Sequence, residues 1–146
     1  MPIALDRYAR AIRAVDPIRL NGRVEEIVGL VIESRGPRAS LGEICVVYGG
    51  RNAPPVRAEV VGFRAGRVLL MPLGDLSGVS PGSEVVATGQ PLRVPVGNEL
   101  LGRVLDGLGQ PIDGKGPIPG AHFRSVLADP PSPLRRQRVK GILETG

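Results

Sequence analysis

Val56-Arg57-Ala58-Glu59-Val60-Val61-Gly62-Phe63-Arg64-Ala65-Gly66-Arg67-Val68-Leu69-Leu70-Met71-Pro72 is the stretch on which the fold turns. Val56 to Arg64 and Arg67 to Pro72 are strand-length runs rich in apolar and β-branched residues. Between them stands Ala65-Gly66, with Val61 and Phe63 before it and Val68 and Leu70 after it. A two-residue connection containing Gly, flanked in this way, predicts a tight β-hairpin.

The same rhythm extends outward from the hairpin. Further strands are expected over Arg23 to Glu33, Glu43 to Tyr48, Ser83 to Thr88 and Pro91 to Val96. Arg23 to Glu33 alternates loosely, with Val24, Val28, Leu30 and Ile32 on one face, Ile27 and Val31 on the other, and Gly29 expected as a bulge or bend. Arg35-Gly36-Pro37, Gly49-Gly50-Arg51-Asn52 and Ser80-Pro81-Gly82 supply tight-turn chemistry between runs. The fold class that follows is all-β: a small six-stranded antiparallel β-barrel, because closure is how such a sheet disposes of its edges.

Composition agrees. The chain has 146 residues, 21 of them Gly and 15 Pro, a share close to that of disordered low-complexity chains. Yet Val, Ile, Leu and Phe make up 45 of the 146, well above the roughly one-fifth below which a chain cannot bury enough apolar surface to offset its ordering entropy. Cys45 is the sole cysteine and His122 the sole histidine, which excludes a disulfide framework, a Cys/His metal cluster and a Cys/His nucleophile pair within one chain. No signal-peptide h-region and no membrane span is expected, and the cytoplasm is the default compartment.

The net charge of +5 is unevenly spread. Residues 24 to 120 carry nine basic and ten acidic side chains, so the basic excess lies at the two ends. Aromatic residues are scarce, Tyr8, Tyr48, Phe63 and Phe123 being all there are. A single-strand-binding barrel needs stacking platforms along its groove, so no nucleic-acid partner is expected.

Residues 1–17 predict an amphipathic helix. Leu5, Tyr8, Ile12 and Val15 recur at spacings of 3, 4 and 3, Arg7, Arg10 and Arg13 occupy a different ridge, and Pro17 ends the pattern. A helix this short is marginal in water and must dock on its own domain, on a partner or on a membrane surface. After Val96 the strand rhythm stops. Asn98 to Val104 suits a short helix, Asp106 to Gly116 is a run of turns, and from Ala121 the chain reads as extended and proline-rich.

One motif in this part misleads. Gly109-Gln110-Pro111-Ile112-Asp113-Gly114-Lys115 fits the GxxxxGK pattern of a phosphate-cradling loop, but Gly116 stands where Ser or Thr must bind Mg²⁺. Pro111 removes a backbone donor, and Pro117 and Pro119 forbid the helix that would receive the phosphate. A chain of turns is the reading that survives.

The wider stretch, Val96-Gly97-Asn98-Glu99-Leu100-Leu101-Gly102-Arg103-Val104-Leu105-Asp106-Gly107-Leu108-Gly109-Gln110-Pro111-Ile112-Asp113-Gly114-Lys115-Gly116-Pro117-Ile118, resembles the segment joining the N-terminal barrel to the nucleotide-binding domain of rotary-type ATPases. Val28-Gly29-Leu30-Val31-Ile32-Glu33, Leu41-Gly42-Glu43-Ile44-Cys45, Ala58-Glu59-Val60-Val61-Gly62-Phe63, Val68-Leu69-Leu70-Met71-Pro72-Leu73 and Pro130-Pro131-Ser132-Pro133-Leu134 are similar to the flagellar and type III protein-export ATPases within that superfamily. The barrel piece of an ATP synthase head subunit, and an unrelated barrel binding module, are the alternatives.

The resemblance implies three regions: residues 1–17 as the N-terminal helix, 18–96 as the barrel, and 97–146 as a linker and the beginning of a nucleotide-binding domain. In the family the barrels form a crown on a homo-hexamer that hydrolyses ATP with Mg²⁺ to power export. Phosphoryl transfer requires a Gly-rich loop with Lys and Ser or Thr, a Mg²⁺-holding Asp, a water-activating carboxylate and an arginine finger. The resemblance places those parts beyond the segment matching Ile142 to Gly146, so catalytic, cofactor and metal residues are expected to be none here, and the 146 residues to be a non-catalytic fragment. It further implies that Leu5, Arg7, Tyr8, Arg10, Ile12, Arg13 and Val15 bind a regulatory, stator-like protein or an acidic membrane surface, at the cytoplasmic face of the bacterial membrane. Gly29, Gly62, Gly102 and Gly107 are expected at backbone bends, with Arg103 and Asp106 tethering the linker.

Overall fold

The structure is a computed structural model that describes residues 21–136, 138, 140 and 141. The chain divides between Leu92 and Arg93 into two compact units. The expected helix over residues 1–17 lies outside the described residues, as does the segment Ile142 to Gly146.

The first unit is a closed antiparallel barrel. Its strands are β1 (Gly22–Val28), β2 (Val31–Arg35), β3 (Glu43–Tyr48), β4 (Val56–Arg64), β5 (Arg67–Pro72) and β6 (Glu84–Pro91), ordered β1-β2-β5-β4-β3-β6 around the wall. Alternation turns Val24, Ile32, Val47, Val60, Leu70 and Val85 inward with Cys45 and Ala58, and these form one continuous core. Full burial of a Val, Leu or Ile side chain contributes ~1.5–3 kcal/mol, so this set dominates the barrel's stability.

The number of barrel strands is as expected, but their membership differs. Arg23 to Glu33 is not a single strand with a bend. It is two strands joined at Gly29-Leu30, with Val28 paired to Val31 and Gly29 at φ 61°, the left-handed conformation that favours glycine. The bulge falls elsewhere, at Glu25, between the paired positions Val24 and Glu26. Pro91 to Val96 does not supply the sixth wall strand. The wall ends at Pro91, and β7 (Arg93–Val96) instead pairs with β8 (His122–Ser125) in a separate two-stranded sheet.

The β4–β5 hairpin is as predicted, Arg64 pairing with Arg67 across Ala65-Gly66. Between Val60 and Gly62 the register shifts, so Val61 bulges out of the wall. Where β1 begins, a Cβ on Gly22 would overlap the Gly36 carbonyl, so only glycine allows the two backbones to approach.

The second unit holds β7, β8 and turns. Asn98 to Val104 forms a single 3-10 turn, Asn98–Leu100, in place of the expected helix, because Gly97 at φ 146° and Gly102 at φ 73° bracket it. The segment from Ala121, expected to be extended and proline-rich, carries the strand β8 (His122–Ser125). None of the described residues of this unit is fully buried.

Candidate functional site

The residues expected to contact a partner, Leu5, Arg7, Tyr8, Arg10, Ile12, Arg13 and Val15, all lie outside the described residues. Two polar constellations stand out among the residues that are described.

The first organises the second unit and contains the GxxxxGK sequence. Asp113 accepts from Arg103 through both carboxylate oxygens, Nε to Oδ2 at 2.6 Å and Nη2 to Oδ1 at 3.1 Å. This is a bidentate pair with 12% and 6% of the two side chains exposed. The backbone N–H groups of Val104 and Lys115 also donate to Asp113. The Arg103 bonds first, and then those N–H groups, hold the Asp113 carboxyl well below the usual range against the opposing effect of burial. Lys115 Nζ donates to the Gly102 carbonyl at 2.9 Å.

Asp106 closes its own turn by accepting from Leu108 and Gln110 N–H, and Leu105 bridges to Pro111. Arg103 therefore tethers this region as expected, but through Asp113, while Asp106 acts locally. A phosphate cradle presents backbone N–H groups and a lysine to an anion. Here a carboxylate occupies the centre and takes the Lys115 N–H, Pro111 has no N–H to give, and the lysine ammonium is turned to a carbonyl. The residues of this loop do not fit a nucleotide phosphate or its Mg²⁺. Among the described residues no group of three or more His, Cys, Asp or Glu is placed to hold a metal ion, and no helix is long and apolar enough to cross a membrane.

The second constellation lies on the outer wall of the barrel. Glu33 alternates outward from the buried Ile32 and Ser34, yet its side chain is almost fully covered because Arg64 and Arg67 fold over it. Arg67 donates through Nη1 to Glu33 at 2.9 Å and through Nε to Glu25 at 2.6 Å, and Arg35 completes the chain on Glu25 at 2.6 Å. The Arg67 hydrogen bond, joined by the charges of Arg64 and Arg67, lowers the Glu33 pKa against the effect of burial. Sequence reading missed this network because it joins β1 and β2 to the turn end of the β4–β5 hairpin, far away in sequence. The available signal was an acid closing the apolar run Val31-Ile32 together with arginines on either side of Ala65-Gly66.

Cys45, opposite Ala58 and Ala87 in the wall, is fully buried; burial first, then the charge of Glu43, pushes its thiol up to about 11. It is a core residue with no thiolate chemistry near neutral pH.

Both constellations are ion-pair networks whose charges are met within the chain, so the decisive observation is the barrel itself. Residues 24–89, which span almost the whole closed wall, match the model of the ATP synthase alpha/beta family, β-barrel domain. The barrel is similar to the domain that this family shares. The chain is 40% identical over 136 residues to the flagellum-specific ATP synthase of Bacillus subtilis, covering 92% of this chain and 31% of that protein. It is 43% identical over 142 residues to the flagellum-specific ATP synthase of Treponema pallidum, covering 97% and 32%. It is 44% identical over 128 residues to the type 3 secretion system ATPase of Xanthomonas euvesicatoria, covering 88% and 29%. The chain thus spans about a third of the length of these relatives. Within this barrel the Glu33 network braces the wall, and the Arg103–Asp113 pair orders the segment that follows.

Proposed function

We propose that the chain is the non-catalytic N-terminal region of an ATPase that powers protein export through a flagellar or type 3 secretion apparatus. The barrel serves assembly, and the amphipathic segment of Leu5, Arg7, Tyr8, Arg10, Ile12, Arg13 and Val15 binds a regulatory, stator-like protein of the apparatus. The parent enzyme hydrolyses ATP with Mg²⁺ as a homo-hexamer, in the cytoplasm at the inner face of the membrane, where the basic ridge also suits an acidic lipid surface. Residues 97–146 lead from the barrel toward the nucleotide-binding domain.

One observation carries this reading. Similarity to relatives bearing flagellar and type 3 secretion names continues past the barrel and covers 88–97% of the chain. The poor fit of the Gly109 to Lys115 loop to a phosphate supports a non-catalytic role.

Two measurements test it. The purified 146-residue chain is expected to show no turnover of Mg-ATP, and stoichiometric turnover sensitive to mutation of this chain refutes the non-catalytic assignment. In a pull-down with the regulatory protein, Ile12→Asp is expected to lower capture by about tenfold, the cost of a charge in an apolar contact. Undiminished capture sinks the partner assignment.

A further inference from the structure

An apolar patch interrupts the outer wall of the barrel at the β1–β2 turn. Val28 pairs with Val31, and one register step beyond the Ile32–Leu70 pair Val31 stands beside Met71. Their chain neighbours Ile27, Ile32 and Leu70 pack into the core, so Val28, Val31 and Met71 point outward in a row across β1, β2 and β5. Val28 is 52% exposed, Leu30 at the turn 73%, and a shallow groove runs from Leu30 and Met71 past Pro72 to Leu76. A contiguous apolar strip with an open groove beside it marks a surface that is covered in use.

The rim of this groove is acidic. Glu26 lies along β1 from Val28, 62% exposed and with Arg67 no nearer than 3.9 Å. Glu59 pairs with Met71 from β4, and Asp75 stands in the groove wall, its carboxylate fixed by the Ser77 N–H and hydroxyl. Arg57, next on the same face of β4, is the opposing charge.

Residues 1–20, outside the described residues, hold a segment of complementary chemistry. Its pattern puts Leu5, Tyr8, Ile12 and Val15 on one helical stripe. At about 100° per residue Arg7 and Arg13 fall on opposite flanks of that stripe and Arg10 faces away from it, so two long basic side chains reach toward the two sides of whatever the stripe covers. The tether is long enough. The segment joins the wall at Gly22, at the end of β1 away from Val28, and residues 16–21 extend over about 20 Å, roughly the length of β1 itself. Val15 can therefore return to the groove, and the stripe from Leu5 to Val15, about 15 Å of helix, can lie along it. A helix this short is marginal alone, and burying its stripe supplies the stabilisation it lacks.

We propose that the stripe of Leu5, Tyr8, Ile12 and Val15 seats in the acidic-rimmed Leu30/Met71 groove of its own barrel, with Arg7 and Arg13 over the rims. This contact goes beyond the regulator role proposed above and does not rest on it. Where both hold, they compete for one stripe, and the groove holds the segment until the regulator takes it.

Disulfide trapping in the intact 146-residue chain, dilute and under mild oxidation, tests the contact. Ile12→Cys with Leu30→Cys is expected to close an intramolecular disulfide about tenfold faster than either of two control pairs, because docking raises the effective concentration of one thiol at the other. The first control, Ile12→Cys with Arg38→Cys, uses an exposed site close to where the segment leaves the wall, since Gly22 abuts Gly36 there; an undocked tether favours this pair. The second, Arg10→Cys with Leu30→Cys, presents the face turned away from the groove. Continued shielding of Cys45 from thiol reagents reports that each variant is folded. A rate no greater than the controls overturns the proposal, and so do linked dimers in place of the closed monomer, which place the segment on a second copy. A further measurement leaves both docking partners without introduced thiols: Met71→Asp is expected to speed tryptic cleavage after Arg10 and Arg13 severalfold while Cys45 stays shielded, and unchanged cleavage overturns the proposal as well. Neither assay contains the regulator, so their failure leaves the pull-down assignment standing, and failure of the pull-down leaves the groove contact standing.

Discussion

Glu33 sits on the outer wall of the barrel with 4% of its side chain exposed, and its charge is met by Arg64 and Arg67 from the neighbouring hairpin. Its pKa is lowered below the ordinary 4.5 in the fold, chiefly by the Arg67 bond, whereas in the unfolded chain it titrates near that ordinary value. The folded state therefore binds the proton less readily than the unfolded state. The resulting stability is present above about pH 4.5 and is lost as pH falls through the folded pKa. Asp113 behaves in the same direction in the second unit, from an ordinary value of 3.8. We predict that Glu33→Gln lowers the urea midpoint at pH 7, and that the gap to the parent chain closes progressively below about pH 4.5. A gap constant from pH 7 to pH 3 would show that the ion pairs contribute nothing and that only shape matters at this position.

At the level of elements, the β4–β5 hairpin was legible because its turn is local. Ala65-Gly66 needs no distant partner to be recognised. The β1–β2 turn was not, because a single glycine between Val28 and Leu30 leaves the apolar pattern unbroken, and alternation alone cannot distinguish a continuing strand from one that doubles back. The pairing of β7 with β8 was illegible for another reason: Val96 and His122 are separated by the whole turn-rich segment, and only the folded register joins them. Likewise Arg103 announced itself as a tether, but choosing Asp113 over Asp106 required the turn geometry. The hairpin also holds a correctable flaw. Ala65 adopts φ 48° and Gly66 φ 76°, the pair of left-handed conformations expected of a type I′ turn. Gly tolerates this, whereas an alanine Cβ in the left-handed region costs roughly 1–2 kcal/mol. Ala65→Asn, whose side chain is tolerated there, is expected to stabilise the barrel by about 1 kcal/mol, read as a higher urea midpoint at unchanged slope. No gain, or a loss, would mean that the turn relaxes away from this conformation in solution.

For the molecule as a whole, the distribution of buried residues differs sharply between the two units. Every fully buried apolar side chain among the described residues belongs to the barrel, whose wall hydrogen bonds close on themselves through the β1–β6 pairing of Gly22 with Val85 and Arg23 with Glu84. The unit beginning at Arg93 holds its shape by turns, the short β7–β8 ladder and the Arg103–Asp113 pair, with no apolar core of its own among the described residues. Cooperative unfolding requires a shared core, so the barrel should carry the main transition by itself. A chain ending at Leu92 is accordingly predicted to unfold in one cooperative step with a midpoint close to that of the 146-residue chain. Cys45 provides the probe. Buried in the wall with its thiol pushed up to about 11, it reacts with a thiol reagent at pH 8 only when the barrel opens, so its labelling rate tracks the opened fraction. Equal labelling rates for the two chains would establish that the barrel folds without residues 93–146. Rapid labelling of the shorter chain would show instead that those residues hold the barrel closed.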